Sequence, residues 1–402
     1  MNKINLVKDT IDSNDLNTLS EWLKTNPILT KNKLTIDFEK EFSKYQNRKY
    51  SVFLNSGSSA NLAMIYSLMM SGRLKSNKVI VPAVSWVTTV TPIIQLGLTP
   101  ILCECDKETL GLDIDYLKNL IENHNPDVIM LVHVLGFPNK MKEILELCKK
   151  HDIILLEDSC ESIGSIYNLG KGIDSELKTY KNNSYTGTKT GSFGLMSSFS
   201  FYFGHHMSTI EGGMVCTDDY EIYNILKSIR AHGWNRDVDD EFKEKMKEGF
   251  EIDEFKDLYT FYYPGFNLRS TDLQAFIGLK QMDKIEKNVE IRQYNYSYYN
   301  DLIKNDYWKI TDYPNTYISN FAYPIIHPNI KNIIKELTKG GVECRPLICG
   351  SIAKQPFWVN IYGKQKFDFA DIVDNFGLYV PNHAKIGLKE VEYISNIINK
   401  NI

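Results

Sequence analysis

Between about residues 50 and 220, short apolar runs alternate with stretches of helical spacing, and this alternation narrows the fold more than any other feature of the chain. Residues 51–54 and 78–81 read as strands, the second ended by Pro82. Residues 60–70 read as a helix, with Asn61 and Ser67 as polar positions among apolar neighbours. Residues 128–132 and 153–156 are unbroken apolar runs, as expected of strands covered on both faces, and a helix is predicted over 141–151 between them. Strand, helix, strand in this rhythm predicts an α/β fold with a mainly parallel sheet.

Two segments interrupt the rhythm. Residues 167–191 are rich in turn pairs and poor in apolar residues, and read as an inserted loop or hairpin. Residues 237–257 are densely charged and read as a solvated helix or mobile loop. Residues 274–299 read as one long helix leading to a smaller α+β C-terminal domain, with a strand near 322–326 and a last helix near 388–399. The division falls near residue 280: a large domain over 1–280 and a small one over 281–402.

Composition excludes several classes. A chain of 402 residues with 43% hydrophobic and 24% charged residues suits a large globular enzyme. A net charge of −4 offers neither a nucleic-acid footprint nor a polybasic membrane patch. The apolar runs are too short to span a bilayer, and the opening residues lack the apolar core of a signal peptide. Seven scattered cysteines do not form a disulfide framework. A cytoplasmic protein is expected.

Five motifs carry chemistry. Residues 55–61, Asn-Ser-Gly-Ser-Ser-Ala-Asn, follow a strand and open a helix. Free N–H groups there bind phosphate, although a capped turn has the same sequence. Trp86 lies just past a strand, where an aromatic ring either stacks on a flat ligand or fills a core. Asp158 ends a buried strand, so its carboxylate needs a partner; Glu161 follows one helical turn later. Residues 200–213 run from Ser200 through His205 and His206 to Glu211-Gly212-Gly213. Residues 265–275 begin Gly-Phe-Asn-Leu-Arg and continue into a helix capped within Ser270-Thr271-Asp272.

In this order the motifs resemble the DegT/DnrJ/EryC1/StrS family of nucleotide-sugar aminotransferases, over roughly residues 28–400. The resemblance implies a fold-type I, aspartate-aminotransferase-like architecture with a seven-stranded sheet. It implies pyridoxal 5'-phosphate or pyridoxamine 5'-phosphate as cofactor. Gly57 and Ser58, with Ser59 less firmly, and Ser200 match the phosphate contacts. Trp86 matches the aromatic over the pyridine ring, and Asp158 the partner of the ring nitrogen. Glu161 stands where the family usually carries Gln or His, near the 3-hydroxyl. Asn267 matches an asparagine that reaches the neighbouring subunit's phosphate, which implies a homodimer with shared sites.

The family's cofactor lysine lies six residues before Glu-Gly-Gly, and counting back from Glu211 gives His205. Imidazole cannot form the lysine's imine but moves protons near neutral pH. A branch of the family, the sugar 3-dehydratases, resembles the chain at this substitution. The resemblance implies removal of the 3-hydroxyl of a nucleotide-linked 4-keto-6-deoxy sugar, with GDP as the nucleotide and hexose or heptose open. His205 would take a proton from the aminated cofactor's methylene carbon and protonate the leaving oxygen. L-glutamate would restore the amine, in dideoxysugar synthesis for surface polysaccharide. Arg345 and Lys354 lie in the matching C-terminal substrate region. One dehydratase branch also carries an iron–sulfur cluster, but residues 229–237 hold none of the cysteines it needs, and no cluster or metal is expected. The alternatives are a nucleotide-sugar aminotransferase, with Lys189 standing in for the lost lysine, and a non-catalytic cofactor-binding relative.

Overall fold

The computed structural model describes residues 3–168, 180–182, 185–310 and 316–402, with backbone alone for 180–182 and 185. Seven strands form the central sheet: β1 (Tyr50–Leu54), β2 (Lys78–Pro82), β3 (Thr99–Cys103), β4 (Val128–Val132), β5 (Ile154–Asp158), β6 (Met196–Ser200) and β7 (Gly213–Thr217). Their order is β1-β7-β6-β5-β4-β2-β3. The run from β6 to β3 is parallel, and β7 is antiparallel to both its neighbours. Strands β4, β6 and β7 are buried along their whole length; β4 is a continuous apolar run, whereas β6 carries Ser197, Ser198 and Ser200 inside. Helices Gly57–Met70, Val87–Gln95 and Met141–His151 connect strands of the sheet, as the βαβ rhythm requires.

The long helix expected over 274–299 is two helices, Asp272–Met282 and Ile285–Leu302. Neither glycine nor proline marks the break. Tertiary contacts hold it: Lys284 at the junction pairs with Asp12 at 2.5 Å and Asp15 at 2.7 Å, and Gln281 donates to Asp15 at 2.8 Å. The first insertion contains a hairpin, Tyr180–Asn182 against Tyr185–Lys189, whose second strand also pairs with Ile166–Tyr167. Its residues 169–179 and 183–184 lie outside the described residues. The second carries helices Asp240–Lys247 and Glu254–Asp257, the first anchored through buried Phe242. Cys103 closes β3 and Cys105 lies just beyond it, both as buried thiols.

Beyond residue 302 the chain builds a three-stranded antiparallel sheet from Tyr323–Ile326, Gly377–Val380 and Arg345–Pro346. Helices Ile330–Lys339, Asp368–Phe376 and Leu388–Asn399 accompany it. One apolar cluster continues from Val52 in the large sheet to Ile398 in the last helix. The segment after Cys349 lies against the end of β2, with Ile352 donating to the Ala83 carbonyl at 2.8 Å and Ser351 bridging Val84. The carboxyl ends of β2, β4 and β5 therefore open into a crevice bordered by the C-terminal residues, where ligands of α/β sheets bind.

Candidate active site

Asp158 is the last residue of β5 and is buried. Its Oδ2 accepts from Asn61 Nδ2 and Thr89 Oγ1, each at 2.8 Å, and its Oδ1 accepts from the Cys160 N–H at 3.1 Å. Ser198 donates to Asn61 Oδ1 at 2.5 Å, which fixes the orientation of the amide and turns its N–H toward the carboxylate. Two neighbouring helices and β6 thus aim one oxygen pair at the crevice. Neither Asn61 nor Thr89 belongs to the site residues that the sequence motifs point to. The one sequence signal for Asn61 is its place as a polar residue within an apolar helix.

The helix Gly57–Met70 starts beside β6. Ser56 caps it, accepting the Ser59 N–H at 3.0 Å. Ser59 is engaged in that cap through its hydroxyl as well. Gly57 presses on the end of β6: a Cβ there would stand 2.5 Å from Ser200 Cβ and 3.1 Å from Cys160 Sγ. Ser58 is near solvent, its Oγ 3.3 Å from Thr88 Oγ1. Backbone N–H groups, small hydroxyls and a helix N-terminus are therefore gathered at Gly57, Ser58 and Ser200. Trp86 stands at the start of the helix Val87–Gln95 and is 54% exposed, so it is not a core tryptophan.

His205 follows Gly204, whose φ of +90° permits the tight turn after Tyr202. Its Nδ1 lies 2.9 Å from the Cys160 carbonyl. A carbonyl only accepts, so Nδ1 carries the hydrogen and Nε2 keeps its lone pair. Cys160 lies two residues beyond Asp158, and the bond holds the imidazole at the same strand end. Burial, reinforced by the nearby Arg292 cation, lowers the His205 pKa to about 4, so the ring is neutral at physiological pH. His206 turns elsewhere: it is buried, with Nε2 3.0 Å from the Ser319 carbonyl.

Glu161 accepts the Leu135 N–H through Oε2 at 2.7 Å. Burial, with Asp158 adding repulsion, raises its pKa to about 8. At neutral pH the carboxyl is protonated and has a hydrogen to donate.

The remaining candidates are engaged with neighbouring groups. Asn267 is exposed, its Oδ1 accepting from Arg269 at 3.1 Å. Arg345 pairs with Glu343 at 2.7 Å, and Lys354 with Asp374 at 3.3 Å and Asp371 at 3.7 Å. Arg345 faces Tyr379 across the small sheet. Lys189 does not replace a cofactor lysine: its amine is buried 2.8 Å from the Tyr45 carbonyl and 3.4 Å from the Tyr45 ring centre.

The residues fit pyridoxal or pyridoxamine phosphate. The glycine-floored helix start suits the phosphate, the exposed tryptophan suits the ring face, and the strand-end carboxylate suits the ring nitrogen.

Comparison with known proteins agrees with this geometry. The chain is 34% identical to the GDP-4-keto-6-deoxy-D-mannose 3-dehydratase of Yersinia pseudotuberculosis over 408 aligned residues, covering 98% of each. It is also 34% identical to the enzyme of that name from Escherichia coli O55:H7, covering 90% of each. A structure of GDP-4-keto-6-deoxymannose-3-dehydratase, a histidine-to-asparagine mutant with bound GDP-perosamine, matches with a TM-score of 0.85 at 32% identity, covering 99% of this chain and 100% of that one. Another, with a trapped PLP-glutamate geminal diamine, gives 0.83 at 31%, covering 98% and 100%. Residues 9–399 match the model of the DegT/DnrJ/EryC1/StrS aminotransferase family, and the chain belongs to that family.

Proposed function

We propose that the chain is a pyridoxal/pyridoxamine-phosphate-dependent 3-dehydratase that removes the C3 hydroxyl of a GDP-linked 4-keto-6-deoxy sugar, with L-glutamate as amino donor. The observation that carries this reading is His205: a neutral imidazole at the family's lysine position, with Nε2 free and Nδ1 held by the Cys160 carbonyl. Lysine chemistry is unavailable to it, and acid–base chemistry is what remains.

When bound, pyridoxamine phosphate supplies an amine for the sugar ketone and a ring that accepts electrons. Gly57, Ser58 and Ser200 would hold its phosphate, and Trp86 would pack against its ring. Asp158, oriented by Asn61 and Thr89, would keep the ring nitrogen protonated. Glu161, protonated at neutral pH, would donate to the 3-oxygen. His205 Nε2 takes up a proton as base and delivers it to the departing C3 oxygen, which leaves as water. L-glutamate supplies the amine and the two electrons and becomes 2-oxoglutarate; the other products are ammonia and the 4-keto-3,6-dideoxy sugar, a building block for surface polysaccharide. The GDP assignment rests on the two relatives of that name.

A homodimer with shared sites follows from the resemblance, in which Asn267 serves the neighbouring subunit's phosphate; its exposure supports this. Arg345 and Lys354 serve the substrate once released from their acidic partners. The enzyme works in the cytoplasm, where nucleotide sugars are made and its seven free thiols stay reduced. Among the described residues no helix is long and apolar enough to cross a membrane.

The test is to incubate the protein with pyridoxal phosphate, L-glutamate and GDP-4-keto-6-deoxymannose. Mass spectrometry should find a sugar that has lost one oxygen, with one ammonia and one 2-oxoglutarate per turnover. An amino-sugar product would make the chain an aminotransferase.

A further inference from the structure

Arg292, on the helix Ile285–Leu302, is fully buried, and no carboxylate lies within ion-pair distance of it among the described residues. Its guanidinium is spent on backbone carbonyls. Nη2 donates to Gly204 and His205, each at 3.2 Å. Nη1 donates to Phe321 at 2.7 Å and to Asn382. The carbonyls come from two parts of the chain: the turn that carries the imidazole, and the C-terminal residues that border the crevice. Asn382 strengthens the second group, its amide donating to the Arg292 carbonyl at 3.0 Å and to Asn320 Oδ1 at 2.9 Å. Asn320 in turn donates to the Leu135 carbonyl at 2.9 Å, and the Leu135 N–H is the group that Glu161 accepts. The Phe321 ring closes the arrangement, 5.0 Å from the His205 ring and 5.8 Å from the guanidinium.

A buried cation is costly unless paired. A purely structural clasp on these backbone carbonyls would be served by neutral amides, as Asn320 and Asn382 show nearby. We propose that Arg292 is a positioning residue for the dehydration: it locks the Gly204–His205 turn to the 320–321 and 382 segments and so sets where His205 Nε2 stands over the reacting carbon. This rests on the reading of His205 as the acid–base group. The cation has a second effect on the same ring. The groups facing His205 are the Cys160 carbonyl, Asp158, His206 and Arg292, and His383 lies within the field of the same guanidinium. Asp158 favours the imidazolium and Arg292 opposes it, so the arginine helps to keep the base unprotonated beside a carboxylate.

The test uses Arg292→Gln and Arg292→Lys, with His205→Asn to assign the His205 imidazole resonance by its absence. In the cofactor-free protein, NMR titration of isotope-labelled histidine should show the wild-type His205 neutral throughout the mildly acidic range. In Arg292→Gln the His205 titration should move upward, and in Arg292→Lys, which keeps the charge, it should stay near the wild-type position. Turnover should fall in both on the order of a hundredfold, the penalty of a base misplaced by about 1 Å. The loss should lie in kcat, with KM for the sugar little changed. The proposal is overturned if a folded Arg292→Gln protein titrates His205 where the wild type does and retains kcat. It is also overturned if Arg292→Gln fails to fold while Arg292→Lys keeps full kcat. Loss of turnover in His205→Asn checks the acid–base reading separately, because that variant leaves Arg292 in place.

Discussion

The Asn61 side chain donates to Asp158 across 2.8 Å, from the second turn of a helix to the end of the central strand. Strand and helix are thereby locked at the point where the cofactor's ring nitrogen would stand. Replacing Asn61 with Ala removes one of the two side-chain donors on Asp158 Oδ2 and leaves Ser198 without its acceptor. An unsatisfied buried polar group costs about 1–3 kcal/mol. Fluorescence titration should therefore show pyridoxamine phosphate binding weakened about tenfold or more. Unchanged affinity would mean that Asp158 needs no orientation.

Gly57 is a steric requirement. In Gly57→Ala the new methyl would stand 2.5 Å from Ser200 Cβ, so the helix start must retreat from β6. Overpacking of this kind costs about 1–3 kcal/mol. Calorimetry should record a lower Tm, and dialysis against pyridoxal phosphate should record lost retention. A variant that binds the phosphate normally would remove Gly57 from the cradle.

Glu161 gives the site a pH signature. Burial and Asp158 lift its pKa to about 8, above its unfolded value, so the native state holds the proton more tightly. The stability this brings is fully present below the ordinary carboxyl range and is lost as pH rises from there to about 8. Apo wild-type protein should lose Tm across that range and Glu161→Gln should not. If Glu161 donates to the cofactor's 3-oxygen, affinity for pyridoxal phosphate should decline as pH rises above about 8 in the wild type and stay level in Glu161→Gln. A wild-type Tm that is flat up to about pH 8 would contradict the first statement, and an affinity that is flat above it the second.

The large sheet was legible in the sequence because β2, β4 and β5 are largely apolar runs, and several candidate residues sit in motifs at strand ends. Asp158, Glu161, Gly57 and Ser200 are local signals of that kind. The count from Glu211 back to His205 located the imidazole, and the structure puts it beside Asp158's strand end. What escaped depends on long-range contacts. The break at Asp283–Lys284 is held by Asp12 and Asp15, some 270 residues away in sequence, and nothing local announces it. Thr89 and Arg292 look like ordinary helical residues until the chain folds them against Asp158 and the Gly204–His205 carbonyls. Arg345 and Lys354 stand out by their place in the matching C-terminal region and by their charge, and neither feature announces the ion pairs with Glu343, Asp371 and Asp374.

The substitution His205→Lys probes the same position from the other side. A lysine there should join pyridoxal phosphate covalently, giving a visible absorption band and a borohydride-stable mass increase. It should also abolish dehydration, since the free base is gone. No covalent link would place position 205 away from the cofactor's aldehyde.

The most direct measurement compares wild type with His205→Asn, both supplied with cofactor, L-glutamate and GDP-4-keto-6-deoxymannose, and follows the C3 oxygen by mass spectrometry. Oxygen loss in the wild type and none in His205→Asn, with cofactor bound equally to both, is the predicted result. Oxygen loss at an undiminished rate in His205→Asn would contradict the account.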